Sequence, residues 1–211
     1  MDKRKIIEWH PAFEASIQIE FENEPGKPVR FLAASDIPYR DAWSDSDATR
    51  THGEIEAHCR ELRRQGYNMI RIGGPDIFLT RGDGKARTKK DFELDPVYLD
   101  RLDYLVYCMK KYGIYLNLGC MSNWGWHPGT PWDGKPKPAI RNYAFTIYFS
   151  EEARKHWEKG FMNLVTRVNP YTKTRLIDDP VLALCICFNE QESSLFKGQG
   201  GKHLEFARPA W

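Results

Sequence analysis

The stretch DPVYLDRLDYLVYCMKKYGIYLNL, residues 95–118, holds one helix and one strand with a single glycine between them. Asp95 and Pro96 open it. Proline at the first helical position sacrifices no hydrogen bond, because an N–H there has no intrahelical partner. Leu99, Leu102, Leu105, Val106 and Met109 recur at three- and four-residue spacing, so the helix predicted over 96–112 has one apolar face. Gly113 ends it, since glycine enters the left-handed region at little steric cost. Ile114 to Leu118 then reads as a short, mostly apolar strand.

The same unit recurs on both sides. Upstream, a helix is predicted over about 52–65, with Ile55, Cys59 and Leu62 on one face. Thr51 is its expected cap, with Glu54 at capping-box spacing. Gly66 ends it, and the strand Tyr67–Ile72 runs into Gly73-Gly74-Pro75. Downstream, Ser150 caps a helix of about 151–168, with Glu151 and Glu152 at the positive end of its dipole. A turn at Asn169-Pro170 and the run Asp178-Asp179-Pro180 precede a strand over 181–188. The first strand of the series is Val29 to Ala33. Before it, Ile17, Ile19 and Phe21 alternate with polar residues up to the turn Glu24-Pro25-Gly26-Lys27-Pro28. That pattern predicts a hairpin feeding the first barrel strand, or a small cap beneath the barrel.

Strands alternating with helices predict a parallel sheet with crossover helices. A closed barrel and an open doubly wound sheet both fit the order. The open sheet would normally carry a glycine-rich phosphate loop after its first strand, and Gly73-Gly74-Pro75 does not fit GxGxxG. Long loops follow the strands and short ones precede them, as in enzyme barrels. The expected class is therefore α/β, a (β/α)₈ TIM barrel truncated after about the fourth strand. Eight strands at this pace would need roughly 350–400 residues. The expected division is an N-terminal hairpin segment over 1–28, the first half of a catalytic barrel over 29–195, and an irregular tail over 196–211.

Composition excludes several classes. Apolar residues at 41% and charged ones at 28% are those of a folded globular chain. A formal charge of +2 is too small to argue for nucleic acid or an anionic membrane as partner. No run of eighteen apolar residues predicts a membrane span, and the basic start MDKRKIIEWHP lacks the apolar segment of a secretory signal. Localisation stays open on this reading. Five scattered cysteines do not make a disulfide framework, and Cys185 and Cys187 read as small buried hydrophobes. The histidines show no HExxH spacing, and Asp76, Asp83 and Asp91 do not match a calcium loop. No metal and no cofactor is expected.

The chemistry is expected just past the strands. In Met69-Ile70-Arg71-Ile72 the isoleucines point one way and Arg71 the other. If the isoleucines pack under helices, Arg71 faces the barrel mouth. It then serves a structural ion pair, or it holds a catalytic carboxylate ionised and oriented. The apolar strand Val181–Phe188 ends abruptly in Asn189-Glu190. A carboxyl beside apolar walls keeps its proton to higher pH, which suits a general acid. The amide of Asn189 can bond a sugar hydroxyl. Trp43 falls after the first strand, and Trp124, Trp126 and Trp132 after the third. They serve as stacking walls for sugar rings or as packing for a long loop.

These residues resemble clan A glycoside hydrolases, most closely the cellulase-like family 5 group. The likeness is carried by Gly66-Tyr67-Asn68-Met69-Ile70-Arg71, Leu99-Asp100-Arg101-Leu102-Asp103-Tyr104-Leu105 and Lys110-Lys111-Tyr112-Gly113-Ile114-Tyr115-Leu116. It continues through Asn169-Pro170-Tyr171-Thr172, Asp178-Asp179-Pro180 and Asn189-Glu190, and covers about residues 30–192. The resemblance implies a retaining hydrolase of a β-linked glycan. Glu190 would be the acid/base, Asn189 would touch the sugar 2-hydroxyl, and Arg71 would support the nucleophile. Family members often carry a histidine near the end of the third strand. Here that region reads Leu118-Gly119-Cys120-Met121-Ser122-Asn123, with His127 nearby. The family's nucleophile is a second glutamate after a seventh strand, and only Glu192 and Glu205 follow Glu190. The expectation is thus an incomplete, inactive fragment whose partners are a carbohydrate and the missing C-terminal half of the barrel. A non-catalytic carbohydrate-binding or scaffolding half-barrel is the alternative. An aldolase or isomerase is disfavoured, because the four predicted strands contain no lysine.

Overall fold

The computed structural model describes residues 4–6, 19–21, 23–36, 48–73, 94–119 and 151–186. Strands β1 (Arg4–Ile6), β2 (Ile19–Phe21) and β3 (Pro28–Val29) form a small antiparallel sheet. Then come β4 (Ala33–Asp36), α1 (Ala48–Arg64), β5 (Met69–Gly73), α2 (Pro96–Tyr112), β6 (Tyr115–Gly119), α3 (Glu151–Val165) and β7 (Leu182–Ile186). The last four strands pair in the order β4-β5-β6-β7, each parallel to the next. Every C-terminal strand end in this sheet therefore points the same way.

The core lies between this sheet and its helices. Ile70 and Ile72 of β5 and Leu116 and Leu118 of β6 are fully buried against Ile55 and Cys59 of α1 and Leu105, Val106 and Met109 of α2. Burying each such aliphatic side chain is worth about 1.5–3 kcal/mol. Helix α2 is set at both ends. Asp95 Oδ1 accepts from the Val97 and Tyr98 N–H groups at 2.9 and 3.4 Å. Gly113 sits at φ 66°, which lets Ile114 N–H reach the Met109 carbonyl at 2.8 Å.

The residues expected to form one strand from Val29 to Ala33 are instead shared between two sheets. Pro28–Val29 pairs with β2, and Ala33–Asp36 pairs with β5. Asn68 fixes the crossing. Its Oδ1 accepts from Leu32 N–H at 2.8 Å, its Nδ2 donates to the Arg30 carbonyl at 2.9 Å, and its own N–H donates to the Leu32 carbonyl at 3.1 Å. The small sheet packs at the N-terminal end of the barrel strands, where Phe21 and Phe31 stand 5.4 and 5.6 Å from the ring of Tyr115. It both feeds the first parallel strand and caps that end.

Two further boundaries and one burial differ. Helix α1 begins at Ala48, so Thr51 is not its cap; it lies in the first turn, fully buried. Ala48 is a strong helix former, and no proline or glycine lies between it and Thr51 to delay the start. Helix α3 closes at Val165 rather than 168, since Val168 leaves to form a bridge with Arg175. Cys185, expected to be buried, is exposed on β7, the last strand of the sheet. Among the described residues, no helix is long and apolar enough to cross a membrane.

Candidate active site at the C-terminal strand ends

With one end of the strands capped, the other is where a site can form. The helix-facing residues of β5 are Ile70 and Ile72, so Met69, Arg71 and Gly73 share the opposite, concave face. Arg71 points along that face toward the C-terminal end. Its Nη1 lies 4.0 Å from the position a Cβ on Gly73 would take. The guanidinium thus rises over a residue with no side chain.

Register places the neighbours. Ser35, Arg71, Asn117 and Leu184 form one row across the four strands, and Gly73, Gly119 and Ile186 form the row above β5, β6 and β7. The β6–β7 ladder shifts between Leu116 and Asn117, so that Leu116 pairs with Leu182 but Asn117 pairs with Leu184. Ala183 is the extra residue. This bulge reverses the facing along β7: Leu182 packs on the helix-side core, while Leu184 and Ile186 join the concave rows. Asn117 was missed in the sequence. Its Oδ1 is buried and has no hydrogen-bond partner among the described residues. The available signal was its parity: Tyr115, Asn117 and Gly119 alternate onto the face that Arg71 occupies.

Of the residues singled out in the sequence, Arg71 is described. Glu190, Asn189, Trp43, Trp124, Trp126 and His127 lie outside the described residues. Among the described residues, no group of three His, Cys, Asp or Glu side chains could hold a metal ion.

The motif residues of α2 and the turn after α3 form a separate polar cluster on the helix layer. Asp100 is bonded by Tyr171 Oη and by Arg101 Nη1, with His52 Nε2 at 2.8 Å. The His52 ring stacks on Tyr104 at 3.9 Å. Burial pushes the Asp100 carboxyl up, but the bonds from Tyr171, His52 and Arg101 together hold it below the usual carboxylate range. Asp103 meets Arg167 at two points, one of them 2.7 Å. Its burial outweighs that guanidinium and pushes its carboxyl up. Asn169 donates to the Asp103 carbonyl at 3.0 Å and accepts from Tyr171 and Thr172 N–H at 2.8 and 3.2 Å. Asp179 accepts from Lys110, Thr174 and Val181 N–H at 3.0, 3.0 and 3.1 Å, fixing the start of β7. These motifs hold the barrel layers together.

The fold is shared with solved glycoside hydrolases. A glycoside hydrolase family 5 mannosidase from Rhizomucor miehei aligns with a TM-score of 0.53 at 20% identity, over 76% of this chain and 44% of its own. The endo-β-1,4-mannanase of Thermotoga petrophila gives 0.51 at 18% identity, over 88% of this chain and 40% of its own. An endo-1,4-β-mannanase from Rhizomucor miehei gives 0.51 at 15% identity, over 80% and 46%. The present chain spans less than half the length of each. No family model matches the chain, and no curated protein does.

Proposed function

We propose that this chain supplies the acid/base side of a retaining β-glycan hydrolase site, with a β-linked mannan or related glycan as substrate. The supporting observation is the Arg71 guanidinium over Gly73, at the C-terminal strand end of a half-barrel whose fold is shared with a family 5 mannosidase and an endo-β-1,4-mannanase.

In this reading Glu190 protonates the leaving oxygen and then takes a proton from water. A second carboxylate, about 5–5.5 Å away, attacks the anomeric carbon. Arg71 keeps that carboxylate ionised and aimed, because a guanidinium offers planar paired donors and does not deprotonate. Asn189 bonds the sugar 2-hydroxyl, and Trp43, Trp124, Trp126 and His127 wall the glycan. The attacking carboxylate comes from a segment other than residues 1–211.

The test is hydrolysis of β-1,4-manno-oligosaccharides by the chain alone and by the chain mixed with the C-terminal half of a family 5 mannanase. Products from the mixture, lost on Glu190→Gln, support the assignment. Heat of binding without products in either sample would replace it with a binding function. Neither heat nor products would end the carbohydrate reading.

A further inference from the structure

We propose that Asn117 is a ligand-binding residue of this site, its side-chain carbonyl accepting a hydrogen bond from a sugar hydroxyl held against Arg71. The inference rests on the carbohydrate reading above and adds a residue and a recognition rule to it.

Asn117 sits in an otherwise apolar strand, between Leu116 and Leu118, both fully buried. Valine or leucine would suit such a strand better. Its Oδ1 is buried and without a partner among the described residues. Leaving a buried acceptor unpaired costs about 1–3 kcal/mol, so the amide is a burden on the free protein that a bound ligand relieves. Asn117 is the register partner of Arg71, and the next row toward the strand ends is Gly73 beside Gly119. Among the described residues, the two strands themselves contribute only glycines to the row above this pair.

The donor pattern selects the ligand class. Arg71 carries donors only, while the buried Asn117 oxygen is an acceptor only. A hydroxyl both donates and accepts, so one hydroxyl or a vicinal pair can donate to the Asn117 oxygen while accepting from an Arg71 N–H. Neighbouring strands stand about 4.8 Å apart, a span that adjacent ring hydroxyls can bridge. A carboxylate could answer Arg71 but would face the Asn117 oxygen with a second acceptor, and a phosphate would do so through every oxygen but its P–OH. The geometry therefore favours a neutral polyol over an anion.

The experiment compares the full chain with its Asn117→Val and Asn117→Ala variants. Mannotriose and inorganic phosphate are titrated by calorimetry, and thermal midpoints are recorded. The expected result is mannotriose binding weakened about tenfold in both variants, the scale of one hydrogen bond. The Asn117→Val midpoint should be equal to or above that of the unsubstituted chain. A purely structural amide would lower the midpoint in both variants, and that result overturns the proposal. So does unchanged mannotriose affinity, or tight phosphate binding in place of mannotriose. If the unsubstituted chain binds no mannotriose, either alone or mixed with the C-terminal half of a family 5 mannanase, the carbohydrate reading fails as well. Binding that both variants retain overturns this inference alone.

Discussion

Tyr171 donates its phenolic hydrogen to Asp100 across 71 positions of chain, tying the turn after α3 to the outer face of α2. The same carboxylate holds His52 of α1 and Arg101 of α2. One carboxylate thus joins three parts of the helix layer, and its protonation should be visible in stability.

Asp100 sits below the usual carboxylate range in the folded chain. A depressed acid contributes stability above its unfolded pKa of about 3.9, and that stability is lost as pH falls through the folded value. Tyr171→Phe removes one of the bonds that depress it. The variant should be about 1.5–3 kcal/mol less stable at pH 7, the range for a hydrogen bond to a charged group. The gap should shrink as pH falls below about 4, once the carboxylate is neutral in both chains. Urea unfolding at neutral and acidic pH reads this directly. A gap of the same size in acid would show that Tyr171 acts through packing alone.

At the alkaline end the sign reverses. Burial, with the Asp100 carboxylate, pushes the Tyr171 phenol up to about 12; burial likewise raises Tyr104 to about 12. A raised folded pKa gives stability that is whole below the unfolded value of about 10 and lost as pH rises through the folded one. Thermal midpoints should therefore fall steeply between pH 10 and 12. Phenolate absorbance should rise in step with unfolding. The Tyr104→Phe and Tyr171→Phe variants should each flatten the slope, and a slope unchanged in both would assign alkaline unfolding to other groups.

Asp103 differs from Asp100 because its burial outweighs its partner, Arg167. Removing one member of a buried pair leaves the other uncompensated, a loss of about 3–5 kcal/mol. Asp103→Ala should approach that range. Asp103→Asn should lose less, since it keeps an acceptor for Arg167 and sheds the cost of a buried charge. The double variant Asp103→Leu with Arg167→Met should recover much of the loss, because well-packed apolar pairs often match buried ion pairs. Chemical denaturation of the series settles the order.

The helix and strand content was legible because it rests on local chemistry. The stripe from Leu99 to Met109, with Asp95 and Gly113 at its ends, specifies α2 without help from the rest of the chain. The parallel order followed from the alternation of elements. What was not legible depends on partners far away in sequence. Nothing local to Val29–Ala33 says that Asn68 will bond Arg30 and Leu32 and split that run between two sheets. Nothing in the apolar run of β7 marks Ala183 as a bulge, since that depends on pairing with β6. At the site, Arg71 stood out as a charge in an apolar strand. Asn117 did not, because one neutral amide becomes informative only when its acceptor is found buried and unpaired. The family-like motifs at Asp100, Asp103 and Asn169 proved to organise the helix layer, so their likeness speaks for architecture more than for chemistry.

Asn68 gives a direct test of that split. Its side chain offers one acceptor and one donor to the crossing strand. Asn68→Ala should cost about 1–3 kcal/mol, two ordinary hydrogen bonds at about 0.5–1.5 each. Asn68→Asp should cost more than alanine, because it keeps the bond to Leu32 N–H but sets a carboxylate against the Arg30 carbonyl. That excess should vanish in acid, where the aspartic acid regains a donor. If aspartate is the milder change at neutral pH, the Arg30 bond contributes nothing.

The last prediction separates the two steps proposed for Glu190. An aryl glycoside with a poor leaving group needs protonation of its departing oxygen, whereas a strongly acidic phenol leaves without it. Positioned proton transfer is worth about 10²–10⁴-fold. In the complemented barrel, Glu190→Gln should slow the poor substrate by that factor while the first step on the good substrate stays fast. The second step needs Glu190 as a base to activate water, so the glycosyl-enzyme should accumulate on the good substrate. The trace would then be a burst of one phenol per site followed by slow turnover. An anionic nucleophile such as azide needs no base and should restore the slow phase as a glycosyl azide. If both substrates slow equally and no burst appears, Glu190 is acting in binding or in the fold, and the acid/base assignment fails.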